Sequence, residues 1–454
     1  MSTAPTRVLA VDLGATSVRV ASVDLDDDVP RVEIVHRWAH GPVEHRDGTL
    51  RWDWEGVMAA VERGLDEALA AGPAASIGVD GWGVDYALLD RDGALVAPPF
   101  SHRDARTAGW REVAERLGPA ALYERTGIQL MPINTLFQLA AHDRDELARA
   151  ERLMLLPDLV VHRLTGRDAA EWSNASTTAL VDRASGSWST ELLEQVGVAP
   201  RLLPPIDTAG RRAGTWRGVP VHTVGSHDTA SAFVAVPGVP GPGTAIISSG
   251  TWVLVGAERD APVITPDARE RNFSNEGGAL GGTRLLKNVM GFWMLEQCRA
   301  AWGDPPREEL LAAAAGAELV PTVDATDERF LAPADMDAEV RAAAGLGQEA
   351  GRGEVVRCVL ASIAAATARV AGELGTTTGA RVEDVLVVGG GVRTDLMNGL
   401  FAEHTGLPIT VGSAEATALG NALVQGIALG RFEDLTAARR WTASAGRPVP
   451  WAAV

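Results

Sequence analysis

One supersecondary pattern occurs twice in this chain, and it limits the fold more than any bulk property does. The apolar run Val8–Val11 leads into the small-residue turn Asp12-Leu13-Gly14-Ala15-Thr16-Ser17 and returns as Val18–Val23. Far downstream, Ala245–Ile247 leads into Ser248-Ser249-Gly250-Thr251 and returns as Trp252–Val255. Two apolar runs joined by a tight Gly-containing turn read as a hairpin. Between the two copies lies Val236-Pro237-Gly238-Val239-Pro240-Gly241-Pro242-Gly243, which can continue neither helix nor strand. A domain-scale duplication follows, with halves at 1–237 and 238–454, and the 454-residue length suits two or three domains.

Other elements fit the same plan. Residues 54–71 follow a helical period with Val57, Val61, Leu65 and Leu69 on one face. Ser76–Asp80 reads as a strand, 107–117, 134–149 and 156–164 as helices, and Val221–Val224 as a short buried strand. Strands alternating with helices in both halves predict an α/β architecture with helices covering the sheets. Residues 300–345 are charged and Ala-rich, and read as surface helices and loops.

Charge and composition remove several function classes. The net charge of −18, with no clustered basic stripe, argues against nucleic acid or an anionic membrane as partner. Any polyanionic ligand would need backbone amides, a metal ion or a placed cation to offset that field. No uncharged apolar run of membrane-spanning length is present, and the short polar start does not resemble a signal peptide, so a cytoplasmic location is expected. Two cysteines, Cys298 and Cys358, supply neither a metal cluster nor a disulfide framework and read as small buried side chains. Of the 41 basic residues all are arginine except Lys287, which survives by chance or because arginine does not fit there.

Six segments carry candidate chemistry, each with a plainer structural reading beside it. In the first hairpin, backbone amides and the Thr16 and Ser17 hydroxyls suit an anion, and Asp12 a magnesium ion; an ordinary turn is the alternative. Ser248–Thr251 is its counterpart, weak alone and stronger as one of a pair. Gly389-Gly390-Gly391, between a strand and a helix, lets a flat ligand lie on bare backbone and lacks the spacing of a dinucleotide fingerprint. In Gly225-Ser226-His227-Asp228-Thr229-Ala230-Ser231, Asp228 suits a general base for phosphoryl transfer, with helix N-capping as the alternative. Lys287 and Asn288 read as the start of a helix facing phosphate or sugar. Trp82, between Gly81 and Gly83, offers a flat face to a sugar ring, although with 13 tryptophans any one of them reads more simply as core.

Taken in order, these segments resemble the FGGY family of carbohydrate kinases, of the actin and hexokinase superfamily, and within it the L-rhamnulokinases. The resemblance runs along nearly the whole chain. It rests on Gly78–Asp85, His102–Thr107, Thr126–Leu136, Pro157–Gly166, Glu171–Thr178, Ser226–Ser231, Ser248–Trp252, Asn275–Gly278 and Ala414–Asn421. It implies two actin-like (ribonuclease H-like) α/β domains with an active-site cleft between them, whose closure would exclude water. The first domain would hold the sugar site, one phosphate loop and the catalytic aspartate; the second would hold the other phosphate loop and the adenosine site. The implied reaction is ATP- and magnesium-dependent phosphorylation of the carbon-1 hydroxyl of L-rhamnulose.

By position, the resemblance assigns ATP contacts to Ala15, Thr16, Ser17, Val18, Arg19 and Thr251, and the nucleoside side to Gly390. It assigns the sugar site to Gly83, His227, Asp228, Thr229 and Asn288, with Asp228 as general base. Two departures stand out. Val18 replaces a familiar glycine, which is conservative only if its side chain points away from phosphate. Glu296-Gln297 reverses a familiar Gln-Glu order, and a carboxylate at Glu296 would repel ATP. Alternative readings are a kinase for L-fuculose or L-xylulose, and a non-catalytic sugar or nucleotide sensor on the same scaffold. Oligomeric state leaves no mark in the sequence.

Overall fold

The computed structural model describes residues 6–449 apart from 319 and 332. The opening apolar runs form β1 (Arg7–Gly14) and β2 (Ser17–Asp24), antiparallel, with Gly14 opposite Ser17 and Asp12 opposite Arg19. β3 (Glu33–Ala39) pairs with β2. α1 (Trp54–Ala71) starts where Asp53 accepts the Gly56 N–H, and turns Val57, Val61, Leu65 and Ala68 inward. β4 (Ser76–Gly81) lies parallel to β1, placing Asp12 beside Asp80. α2 (Leu156–Thr165), β5 (Arg212–Trp216), β6 (Val219–His222) and α3 (Asp228–Val234) follow. The sheet order is β5-β6-β4-β1-β2-β3.

The strand period of two sorts this sheet's side chains onto two unlike faces. Leu9, Val11 and Leu13 join the main core with Val61 and Leu65 of α1 and Leu159 and Val160 of α2. Ala10 and Ala21 point the other way and meet Ala418 of the Ala416–Ala428 helix. That face is built from small residues because two helices press close to it. A Cβ on Gly78 would lie 2.3 Å from Asn421 Oδ1, and one on Gly420 would lie 1.7 Å from the Ser231 carbonyl of α3. Asp12 and Asp80 share the parity of Ala10 and Gly78 and so project from this second face. A separate core spans residues between 86 and 203, including Leu136, Phe137 and Leu193.

In the second half, β7 (Thr244–Ser249) and β8 (Trp252–Arg259) form the other hairpin. β9 (Thr283–Met290), α4 (Trp293–Ala301) and α5 (Arg352–Thr378) follow. β10 (Asp384–Val388) lies parallel to β7, and β11 (Ile409–Val411) parallel to β10. Hairpin, then parallel strand, then parallel strand is the connectivity of β1, β2, β4 and β6. The duplication read from two turns is therefore present in the strand pairing. α5 is the one described helix long and apolar enough to cross a bilayer, yet 78% of its most apolar window is buried, as in a core helix.

Packing divides the chain into two units. One comprises Met1–Ala235, Glu258–Leu285 and Thr417–Trp441; the other comprises Val236–Ala257, Leu286–Ala416 and Thr442–Val454. Several sequence expectations shift locally. The helix expected over 134–149 is two helices, Thr135–Ala140 and Arg144–Arg149, because Asp143 accepts from the Asp145 and Glu146 amides and restarts the turn. Pro119–Thr126 is a further helix, set off from Trp110–Leu117 by Gly118 at φ 80°. Within 300–345, Phe330, Met336 and Val340 are core rather than surface.

Candidate active site

Parallel strands end where their side chains are needed. The Trp82 amide donates to the Leu13 carbonyl at 3.0 Å and the Gly81 amide to the Ser226 carbonyl at 3.0 Å. The ends of β1 and β4 are thereby tied to the segment that opens α3, at the carboxyl edge where α/β sheets hold ligands. Asp12 and Asp80 are 1% and 0% exposed. Burial, then the charge of neighbouring Asp12, with Asp228 adding to it, pushes the Asp80 carboxyl well above the usual carboxylate range, against hydrogen bonds from Ser231 and Asn421. Asn421 Nδ2 donates to Asp80 Oδ2 at 3.1 Å. Arg19 Nη2 lies 2.8 Å from Asp12 Oδ2 and offsets part of this negative charge.

Asp228 does not cap its helix. His227 occupies the N-cap position and Asp228 is the first helical residue. Its Oδ1 accepts from Thr229 Oγ1 at 3.1 Å and lies 3.5 Å from His227 Nε2, and its side chain is 30% exposed. The plainer capping reading therefore does not apply. Gly83 packs on the same ring: a Cβ there would sit 3.3 Å from His227 and 3.2 Å from Thr177 Oγ1. Val84 holds a left-handed φ of 67°, costly for a β-branched residue. Its carbonyl is fixed by Thr135 Oγ1 at 2.7 Å and Gln138 Nε2 at 3.2 Å. Next to it, Asp85 Oδ2 accepts from the Trp52 and Trp82 indoles at 2.8 and 2.9 Å and faces His102 Nδ1 at 2.9 Å. Burial opposes ionisation of Asp85, but His102 and these donors outweigh it and hold the carboxyl below its ordinary range. Gly83, His227, Asp228 and Thr229 thus come together in one unit beside Asp12 and Asp80, and Trp82 serves as a core donor.

Behind this segment lies a further acid, Glu171, to which the sequence reading assigns no role. Glu171 Oε2 accepts from the Ser226 amide at 2.8 Å and from the Ser173 amide at 3.0 Å, and Ser173 Oγ meets the His227 amide at 3.2 Å. Burial raises the Glu171 carboxyl to about 7, against those same donors, from an ordinary 4.5. A carboxyl raised on folding contributes stability that is complete below its unfolded value and is lost as pH climbs through the folded one. Glu171→Gln keeps an acceptor and removes that titration. Its unfolding free energy relative to the parent protein is expected to improve between about pH 4.5 and pH 8 by on the order of 3 kcal/mol. Parallel pH series of denaturant melts would reveal no such drift if the side chain were ionised throughout.

The first hairpin's tip is Ala15-Thr16, with Thr16 exposed. Val18 is 0% exposed and sits in the main core, so its side chain faces away from any ligand at the tip. In the second unit, the hairpin Ser248–Thr251 and the triple glycine come together. A Cβ on Gly389 would lie 2.8 Å from the Ser249 carbonyl, and one on Gly391 would lie 2.0 Å from Ser249 Oγ. Gly390 has nothing within 4 Å of that position and is exposed. The Phe292 and Trp293 amides donate to Gly250 and Thr251 carbonyls at 3.1 Å each, bracing the turn from below.

Lys287 and Asn288 need correction, because they do not begin a helix. Both lie in β9, and α4 begins only at Trp293. The alternation of a strand sends them to opposite sides, so they cannot act as one helix-end anion site. Lys287 Nζ pairs with Glu373 Oε2 at 3.2 Å. Glu296 is met by Arg299 at 2.6 Å and Arg307 at 3.5 Å, so its charge is compensated locally. Cys298 and Cys358 are both buried, and burial pushes the Cys298 thiol up to about 12.

Among the described residues no three His, Cys, Asp or Glu side chains converge as a chelating group. Asp12 and Asp80 offer two carboxylates, with Asp80 Oδ1 making no hydrogen bond among the described residues. Two carboxylates suit a cation such as magnesium, which keeps several waters and takes further ligands from substrate phosphates.

Comparison with known proteins follows the same division of the sequence. The family profiles named "FGGY family of carbohydrate kinases", N-terminal and C-terminal domains, match residues 7–233 and 245–429. The chain belongs to the FGGY family of carbohydrate kinases. It is an ATP-dependent sugar kinase. This FGGY kinase is 36% identical over 450 residues to a rhamnulokinase of Bacteroides thetaiotaomicron, covering 95% of this chain and 92% of that one. It is 38% identical over 455 residues to a rhamnulokinase of Pectobacterium carotovorum, covering 95% and 90%. A ligand-bound xylulose kinase from Lactobacillus acidophilus shares its fold, with a TM-score of 0.79 at 17% identity over 97% of this chain and 92% of that one. The two-domain α/β carbohydrate-kinase fold expected from the sequence is the fold it has.

Proposed function

We propose that this kinase transfers the γ-phosphoryl group of ATP to the carbon-1 hydroxyl of L-rhamnulose, giving L-rhamnulose 1-phosphate and ADP in the cytoplasm. The observation that carries the choice of sugar is the 36–38% identity to rhamnulokinases across about 95% of the chain. Those relatives do not favour L-fuculose, L-xylulose or a sensor without turnover. The site supports the chemistry. Asp228 Oδ1 is held by Thr229 and faces His227, which leaves Oδ2 to take the proton of the sugar hydroxyl. As that O–H bond breaks, the sugar oxygen bonds to the γ-phosphorus and the bond to the β-phosphate oxygen breaks, releasing ADP.

Gly83, His227, Thr229 and Asn288 are proposed to bind the sugar. Ala15 to Arg19 and Thr251 are proposed to hold the phosphates, through backbone amides in the case of Val18, and Gly390 the nucleoside. Asp12, with Asp80 beside it, would hold Mg2+, which neutralises phosphate charge when bound. Residues 1–237 and 238–454 remain the proposed catalytic halves.

A coupled ADP-release assay over a ketose panel tests the reading. L-Rhamnulose is expected to exceed L-fuculose and L-xylulose in kcat/KM by roughly tenfold or more. A higher value for another ketose would reassign the substrate, and no sugar-dependent ADP release would return the chain to the sensor class.

A further inference from the structure

Three side chains surround His227, two of them outside the proposed reacting set, and one of those two decides where its proton sits. The ring is buried, with 11% of the side chain exposed. Its Nε2 faces Asp228 Oδ1 at 3.5 Å, and its Nδ1 faces Arg284 Nη2 at 3.1 Å and Glu276 Oε2 at 3.4 Å. These two neighbours make opposite demands. Glu276 can only accept and would call for a proton on Nδ1, whereas Arg284 can only donate and calls for a lone pair there. The Arg284 contact is the shorter and has hydrogen-bond geometry; Glu276 Oε2 makes no hydrogen bond among the described residues.

Arg284 is also the better anchored. Its side chain is 1% exposed, Nε donates to the Gly277 carbonyl at 2.9 Å, and the guanidinium lies 5.8 Å from the Phe233 ring centroid. Glu276 Oε2, 3.1 Å from Nη2, supplies the countercharge, and Glu276 Oε1 accepts from Ser274 Oγ at 3.1 Å.

We infer that Arg284, balanced by Glu276, is a positioning residue that fixes His227 as the Nε2–H tautomer, aiming a single N–H at Asp228 Oδ1. The consequence is a division of labour within one carboxylate. Oδ1 is engaged by His227 and Thr229, so the base is held in one rotamer with Oδ2 presented to the substrate. This inference rests on the proposed role of Asp228, but its primary readout does not.

The test uses the full-length protein labelled with 15N. Long-range 1H–15N spectra distinguish a bare ring nitrogen from a protonated one, and a His227→Gln variant identifies the signal among the nine histidines. At about pH 7.5, where an ordinary histidine is mostly neutral, the expected pattern is bare Nδ1 and protonated Nε2. A proton on Nδ1, alone or together with Nε2, overturns the inference. The charge-balanced double variant Arg284→Met/Glu276→Gln should release the ring to mix tautomers. It should lower kcat by about tenfold or more while KM changes less than about threefold, the signature of a contact used in the transition state. An unchanged His227 spectrum in a folded double variant also overturns it. Should the double variant not fold, the parent spectrum still decides. Normal turnover in Asp228→Asn would instead remove the proposed base and leave the tautomer result standing.

Discussion

Asp228→Asn is expected to fold, to bind ATP as the parent protein does, and to lose turnover by about a hundred- to ten-thousand-fold, the range for a general base. The fold should tolerate the change because the side chain is 30% exposed and caps nothing in α3. An asparagine oxygen still accepts from Thr229, so the local hydrogen bond survives while the proton acceptor is lost. Thermal melts, nucleotide titration and steady-state rates with L-rhamnulose check the three parts separately. Turnover within a few-fold of the parent would remove Asp228 as the base, whatever its position.

Gly420→Ala should be the most damaging methyl group that can be added to the first unit. The new Cβ would fall 1.7 Å from the Ser231 carbonyl carbon's oxygen, a backbone atom that cannot rotate away. Either the Ala416–Ala428 helix or α3 must move by more than an ångström. Overpacking of this kind costs about 1–3 kcal/mol and occasionally more, and the stiffness of two helices against one sheet puts this case at the upper end. Because Ser231 lies one helical turn beyond Asp228, a shift of α3 also misplaces the proposed base, and about 1 Å of misplacement can cost a hundredfold in rate. Gly372→Ala is the control. That glycine lies in α5 with nothing within 4 Å of its missing Cβ. It should leave activity unchanged and stabilise by up to about 1 kcal/mol through helix propensity. Equal melting temperatures for Gly420→Ala and the parent would refute the tight-packing account.

The parts of the site that were legible in sequence share a local signature. Asp12 and Asp228 each stand where an apolar strand gives way to small residues, and the glycines of 389–391 mark a close backbone approach to Ser249. Local pattern marks such residues as candidates, and the family resemblance supplies the roles expected of them. The parts that were not legible depend on partners distant in the chain. Arg284 is one arginine among many, and nothing near it announces that it meets a histidine 57 positions earlier. Glu171 and Glu276 fall inside segments that carried the family resemblance, but the reason they matter is a buried amide or guanidinium supplied from elsewhere. The Leu285–Met290 run reads in sequence as a helix start because leucine, lysine and methionine favour helices locally, whereas pairing within a sheet decides the outcome. The lone lysine had no sequence explanation beyond its rarity, and its ion pair with Glu373 gives it a structural one.

The first unit is completed by residues that lie far downstream of the rest of it. Asn421, which hydrogen-bonds Asp80, lies 341 positions downstream, and Gln425 Nε2 reaches back to the Leu9 carbonyl across 416. Until that helix arrives, the small-residue face of the sheet has α3 alone to cover it and a buried acid lacks one of its donors. Long loop closures of this kind are slow steps in folding. The nascent chain therefore carries this edge of the sheet unfinished until residues 417–441 emerge, and a protein cut after the first half would lack part of its own interior.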